Sequence, residues 1–194
     1  MYTDVYYRKL RTEEYKKSLI NKIKKQFKGL NPCDVNIFFD MDNTLYIYST
    51  ESNDLASLKI QHNPGFFANL ELCDKESPAV LAELIKMGYK VYILSACCSE
   101  AVKADKRAAL AKHFPFLTDE QIIFTMNGEN KAEKIQERGI DLKKSILVDD
   151  YCVNLFAWME KGGLAIKKTF SNKKRNIPQI HIFEELFGIL QDLA

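Results

Sequence analysis

No two cysteines in this chain are spaced as CxxC, and the total of five (Cys33, Cys73, Cys97, Cys98 and Cys152) is odd. A secreted disulfide framework or a structural zinc site calls for a different pattern, so the thiols read as reduced. No apolar run approaches the roughly 20 residues that span a bilayer, so no membrane partner is expected. Neither sign of charge dominates: 28 Lys and Arg against 26 Asp and Glu leave a formal charge of +2. That balance fits neither a protein that coats nucleic acid nor an acidic tail. Met1 is followed by polar and aromatic residues rather than by an apolar stretch with a cleavage site. No signal peptide is expected, and the location inferred is cytoplasmic. Internal repeats and low-complexity stretches are absent as well.

What is present suffices for one buried core, since 46% of the 194 residues are hydrophobic. Residues 1–34 read as a helical extension packed on that core. Thr12, Glu13 and Glu14 make a start signal, and Gly29 with Asn31-Pro32 makes a stop. Leu19, Ile20, Ile23 and Phe27 recur at helical spacing, while the Lys and Arg residues from Arg8 to Lys28 form a basic, solvated face. Residues 35–194 form the core unit. Five β-prone runs are expected at Val35 to Phe39, Lys90 to Ser95, Gln121 to Phe124, Ser145 to Asp149 and Leu164 to Ile166. Helical patterns fall between them, at about 79–87, 100–113, 131–138 and 152–161, most of them ending at glycine. A closing helix from His181 to Leu190 would pack through Ile182, Leu186 and Leu190. Strands alternating with helices predict an α/β protein with a mostly parallel sheet flanked by helices, whose ligands sit at the carboxyl ends of the strands. The interval at about 45–77 breaks the alternation and reads as a short cap inserted after the first strand.

The densest chemistry is Phe38-Phe39-Asp40-Met41-Asp42-Asn43-Thr44-Leu45. Two carboxylates two residues apart beside a core repel each other, and desolvation adds to the cost. A divalent cation with hard oxygen ligands removes that conflict, and Mg²⁺ is the natural choice. At a sharp turn, the Asp40 side chain and the Asp42 carbonyl can share one metal, leaving the Asp42 side chain for proton transfer. Ser95 ends the second run, where it is either a helix cap or a phosphate ligand together with the amides near Ala96. Lys131 opens a helix after Asn127-Gly128-Glu129-Asn130, with Lys134 as its competitor. Asp149 and Asp150 close the fourth run. By strand alternation only one of them should face the metal. Cys97 and Cys98 read as small apolar residues at a helix start.

The first of these strings resembles the opening signature of the haloacid-dehalogenase superfamily. Leu94-Ser95-Ala96, Lys131 and Leu147-Val148-Asp149-Asp150 resemble its second, third and fourth motifs, in the same order. The resemblance implies a Rossmann-like fold and a Mg²⁺-dependent phosphatase with Asp40 as nucleophile and Asp42 as acid and base. It further implies Ser95, Ala96 and Lys131 on the phosphate, and Asp40, Asp42, Asp149 and Asp150 at the metal, with Asp150 the direct ligand and Asp149 its support. Asn63-Pro64-Gly65-Phe66-Phe67, His113-Phe114, the Glu120 to Thr125 run and Asn154 are similar to the 5′(3′)-deoxyribonucleotidases. That likeness spans roughly Val35 to Ile166, is patchy, and has a shorter cap. It implies a small phosphorylated substrate, a nucleotide, stacked on aromatic residues such as Phe66 and Phe67, with Tyr46 and Tyr48 as further choices. The same four aromatics also suit a core. Two alternatives stay open: another small phosphoester or a nucleic-acid end as substrate, and a phosphate-binding module without turnover.

Overall fold

The computed structural model describes residues 17, 19–48, 63–170 and 177–191. Residues 19–26 form helix α1. There follow β1 (Asn36–Phe39), α2 (Ser77–Lys86), β2 (Lys90–Cys97), α3 (Glu100–His113), β3 (Ile122–Met126) and α4 (Lys131–Glu137). The chain continues through β4 (Ser145–Asp149), α5 (Cys152–Glu160), β5 (Leu164–Lys168), β6 (Gln179–Ile180) and α6 (Phe183–Gln191). All six strands are parallel, in the order β3-β2-β1-β4-β5-β6.

Side chains alternate across a strand, and the core divides accordingly. On one face Ile37, Phe39, Val91, Ile93, Ile146 and Val148 pack with Leu19 and Ile23 of α1, Leu81 and Leu84 of α2, Ala109 and Leu110 of α3, and Leu186 and Leu190 of α6. On the other, Phe38, Leu94 and Leu147 pack with Ala132 and Ile135 of α4 and Leu155 and Trp158 of α5. Covering both faces explains why β1 and β4 are continuous apolar runs rather than alternating ones. The Trp158 indole lies edge-on to Phe38 at 5.2 Å and against the backbone of Gly163, where an added Cβ would meet Nε1 at 2.2 Å. Only glycine fits there.

The chain runs outward from β1 through β2 to β3, then crosses back to β4 on the other side of β1. This reversal is the switch point where such sheets open a crevice at their carboxyl ends. Helix α1 lies at the opposite end. Its Gln26 Nε2 donates to the carbonyls of Lys143 and Gly162, which precede β4 and β5. The exposed Lys22, Lys24, Lys25 and Lys28 therefore belong to the far end of the sheet. The expected helix start at Thr12 lies outside the described residues.

Several expectations need adjustment. Strand β2 runs two residues past Ser95 and β3 reaches Met126, because the two strands stay paired through Cys97 and Met126. Ser95 is therefore inside a strand; the helix cap is Ser99, whose Oγ accepts from the Val102 amide at 3.3 Å. Cys97 is strand rather than helix start, with its thiol donating to the Thr125 carbonyl. Ile182 is 48% exposed because α6 begins one residue later, and Phe183 takes the inward position. The two-residue strand β6 is an addition to the predicted five. Of the cap, residues 49–62 lie outside the described part. Its return limb holds a short turn of 3-10 helix at Phe67–Asn69 and an antiparallel bridge from Tyr46 to Leu72. No helix among the described residues is long and apolar enough to cross a membrane.

Candidate functional site

The turn after β1 sets the geometry. Asp40 still pairs as strand, its amide donating to the Val148 carbonyl at 2.9 Å. The chain then wraps on the Met41 carbonyl, which accepts from the amides of Leu45 and Tyr46 at 2.9 and 2.8 Å. Closing so tightly forces one residue to positive φ. Asn43 takes it (φ 55), a residue that tolerates this region, and its Oδ1 accepts from the Tyr48 amide. This wrap sends Asp40 and Asp42 to different partners.

Asp40 meets Lys131. Residue 131 is the first of α4, behind the N-cap Asn130, whose Oδ1 accepts from the Ala132 and Glu133 amides. A cation at a helix N-terminus opposes the helix dipole, so carboxylates must hold it there. Lys131 is 3% exposed and donates to Asp40 Oδ1 at 2.5 Å and Asp149 Oδ2 at 2.8 Å. Asp149 is spoken for on both oxygens: Oδ1 accepts from the Tyr151 amide, and Oδ2 also accepts from Asn154 Nδ2 at 2.9 Å. Asp150 is half-buried, and its backbone carbonyl accepts from the Lys167 ammonium. Lys134, the competitor, lies at the surface beside Glu137 at 3.8 Å.

Oxygens of Asp40, Asp149 and Asp150 all lie within 4.8 Å of one another. Strand alternation predicted that only one of the last two would face this point. It does not apply, because β4 ends at Asp149 and Asp150 belongs to the turn. Three carboxylates around one buried ammonium leave excess negative charge. Burial pushes the Asp40 carboxyl up to about 8 against the opposing pull of Lys131, with Asp149 and Asp42 adding to the rise. Burial and then Asp149 push Asp150 up to about 6. Lys131 is driven the other way from a desolvated lysine: burial lowers it, but the Asp40 and Asp149 charges more than reverse that. An all-oxygen donor set with surplus negative charge fits a hard divalent cation such as Mg²⁺.

Asp42 is not in that cluster. Its Oδ2 accepts from Lys106 Nζ at 2.6 Å, and the same ammonium donates to Ser95 Oγ at 2.9 Å and the Ala96 carbonyl at 2.7 Å. Asp42 Oδ1 is buried and has no hydrogen-bond partner among the described residues. Over Lys106 lies the Phe67 ring at 4.8 Å, stacked on Tyr48 and edge-on to Phe66. Tyr46 does not join them. It is buried beside Phe114, with its hydroxyl donating to the Ala109 carbonyl.

The structure thus gathers Asp40, Lys131, Asp149 and Asp150 on one side, and Asp42, Ser95, Ala96, Phe66 and Phe67 on the other. Lys106 was not anticipated from the sequence. Its signal was present: Val102, Lys106, Ala109 and Leu110 are the buried positions of α3, so a lysine interrupts the inward stripe of an amphipathic helix.

No protein-family model matches the chain, and no curated protein is similar to it in sequence. Solved structures do match. A D,D-heptose 1,7-bisphosphate phosphatase from B. bronchiseptica, complexed with magnesium and phosphate, superimposes with a TM-score of 0.57 at 12% identity, covering 82% of this chain and 99% of its own. A haloacid-dehalogenase-family hydrolase from Deinococcus radiodurans R1, with bound phosphate and sodium, gives 0.57 at 15% identity over 83% and 96%. A dehalogenase captured with an intermediate complex gives 0.60 at 11% identity over 82% and 98%. The fold is therefore the Rossmann-like haloacid-dehalogenase fold.

Proposed function

We propose that the protein is a Mg²⁺-dependent phosphomonoester hydrolase of the haloacid-dehalogenase type, acting on a small phosphorylated substrate of the deoxyribonucleotide class. A phosphatase and a dehalogenase share this fold, so the fold does not select the reaction; the side chains must. The observation that carries the reading is the division of labour between two aspartates two residues apart. Asp40 sits in the acidic cluster, while the Asp42 side chain is held outside it with one oxygen buried and without a hydrogen-bond partner among the described residues. Binding phosphate needs no such second acid; turnover does.

In this reading an Asp40 oxygen attacks phosphorus in line, and the bond to the leaving oxygen breaks as Asp42 protonates it. The aspartyl-phosphate so formed is then attacked by water, which gives a proton to Asp42. Phosphate departs and Asp40 is regenerated. Lys131 and Ser95 offset charge on the transferring group. A cation held by Asp40, Asp149, Asp150 and the Asp42 carbonyl would neutralise the phosphoryl oxygens. Phe66, with Tyr48 and Phe67 behind it, offers an aromatic face on which a base can stack. A nucleic-acid end is disfavoured as substrate, because the basic face of α1 lies at the other end of the sheet.

The test is phosphate release from deoxy- and ribonucleoside 5′- and 3′-monophosphates and sugar phosphates, with Mg²⁺ and then with EDTA. Magnesium-dependent preference for deoxynucleotides is the expected result. Activity confined to other esters would remove the nucleotidase part alone. A protein inert toward all of these and toward p-nitrophenyl phosphate would overturn the reading.

A further inference from the structure

We propose that Lys106 is the positioning residue of this site, locking the proton-transferring aspartate and the phosphate-binding serine into one unit. The proposal rests on the hydrolase reading above. Lys106 is 1% exposed, and burying an ammonium group is expensive unless every proton finds an acceptor. An ammonium has three donors, and three acceptors surround this one: Asp42 Oδ2, Ser95 Oγ and the Ala96 carbonyl, at 2.6, 2.9 and 2.7 Å. No donor is left over for a substrate. Lys106 therefore differs in kind from a lysine that grips phosphate directly, and it can act only through the groups it holds.

Two consequences follow from its contacts. Tying Asp42 through Oδ2 fixes the rotamer and leaves Oδ1 as the oxygen for proton exchange; Oδ1 is buried and has no hydrogen-bond partner among the described residues. A buried acceptor left unpaired costs on the order of 1–3 kcal/mol, so a leaving oxygen or water that satisfies it gains accordingly. Occupying a lone pair of Ser95 Oγ with a donated proton turns the serine's own hydroxyl proton away from Lys106, where it makes only a long 3.5 Å bond to the Ala96 carbonyl that an anion can replace. The Phe67 ring over the ammonium closes this unit from above. Because the acceptors come from the turn after β1 and the end of β2, and the donor from α3, one side chain sets the spacing of three elements.

The experiment compares kcat/KM, which reports formation of the phosphoryl-enzyme, for glycerol phosphate and p-nitrophenyl phosphate. The first needs a proton on its leaving alcohol; the second releases a stable phenolate. Lys106→Met should lower kcat/KM about 100-fold for the alkyl ester and less than about 10-fold for the aryl ester. In an Asp42→Asn background the same substitution should cost no more than about threefold, because the group it positions is gone. Lys106→Gln serves if the Met variant does not fold, with circular dichroism confirming the fold of each. An equal fall on both esters, or an undiminished fall in the Asp42→Asn background, overturns the proposal and leaves the hydrolase reading intact. Wild-type protein silent on both esters and on the nucleoside monophosphates and sugar phosphates above overturns the hydrolase reading and this proposal with it.

Discussion

The two lysines buried at the site keep different company. Lys131 stands among three carboxylates, two of which it bonds directly. Lys106 meets one carboxylate and two neutral acceptors, and its acid, Asp42, is 29% exposed. The first side carries excess negative charge; the second is balanced as it stands. Charge alone thus separates the half that would gather metal and nucleophile from the half that would move protons. Four acids crowded at one crevice would otherwise be expected to share a single role.

The largest effect expected from this contrast falls on the nucleophile. Asp40→Asn should lower turnover by at least about 10⁴-fold while leaving the thermal midpoint within about 5 °C of wild type, measured by phosphate release and scanning calorimetry. Near-wild-type turnover in a clean preparation would remove Asp40 from its role.

Next comes the cation. Protons compete for its ligands, so Mg²⁺ affinity should rise with pH as Asp150 ionises near 6 and Asp40 near 8. Isothermal titration from pH 5 to 9 measures this, and a flat profile would break the distinction between the two sides. Without metal the linkage runs the other way. The folded Asp40 keeps its proton up to about 8, whereas its ordinary value is 3.8. The folded state then binds more protons across that window, so metal-free stability should fall as pH rises through it. Asp40→Asn should flatten that slope.

The lysines themselves give a smaller but direct comparison. Lys131→Met strands buried carboxylates and should cost about 3–5 kcal/mol in metal-free urea denaturation. Lys106→Met leaves a partly exposed aspartate that water can reach, and should cost about 1–2 kcal/mol. Equal costs would mean that the two sides are not differently balanced.

The same division explains what was legible in the sequence. Asp40, Lys131, Asp149 and Asp150 are announced locally, each at a strand exit or helix start, and a parallel sheet converges such positions. The sheet itself was readable from its buried apolar runs. Strand ends were not, because the pairing of β2 with β3, a long-range property, carried Ser95 inside the strand and moved the cap to Ser99. Lys106 was unreadable for a related reason. Its partners lie 64 and 11 residues away, and only the docking of α3 shows that an inward lysine meets an acid rather than the core. The aromatic segment divided in the same manner, with Tyr46 taken into the core by Ala109 and Phe114 while Tyr48 stayed with the site.

Specificity should show the smallest effect, and it distinguishes two neighbouring rings. Phe67 is buried, stacks on Tyr48 at 5.8 Å and covers Lys106. Phe67→Ala should therefore loosen the proton-transfer side and lower kcat/KM for every alkyl ester, deoxynucleoside monophosphates and glycerol phosphate alike. Phe66 is only half-buried, and a stacked base is worth about 1–3 kcal/mol to an aromatic side chain. Phe66→Ala should accordingly lower kcat/KM for deoxynucleoside monophosphates about 5- to 10-fold, taking the low end of that range, and lower it for glycerol phosphate by no more than about twofold. Equal losses on both substrates would place Phe66 in the scaffold with Phe67, and would leave the preference for a base to be sought in the cap residues outside the described part.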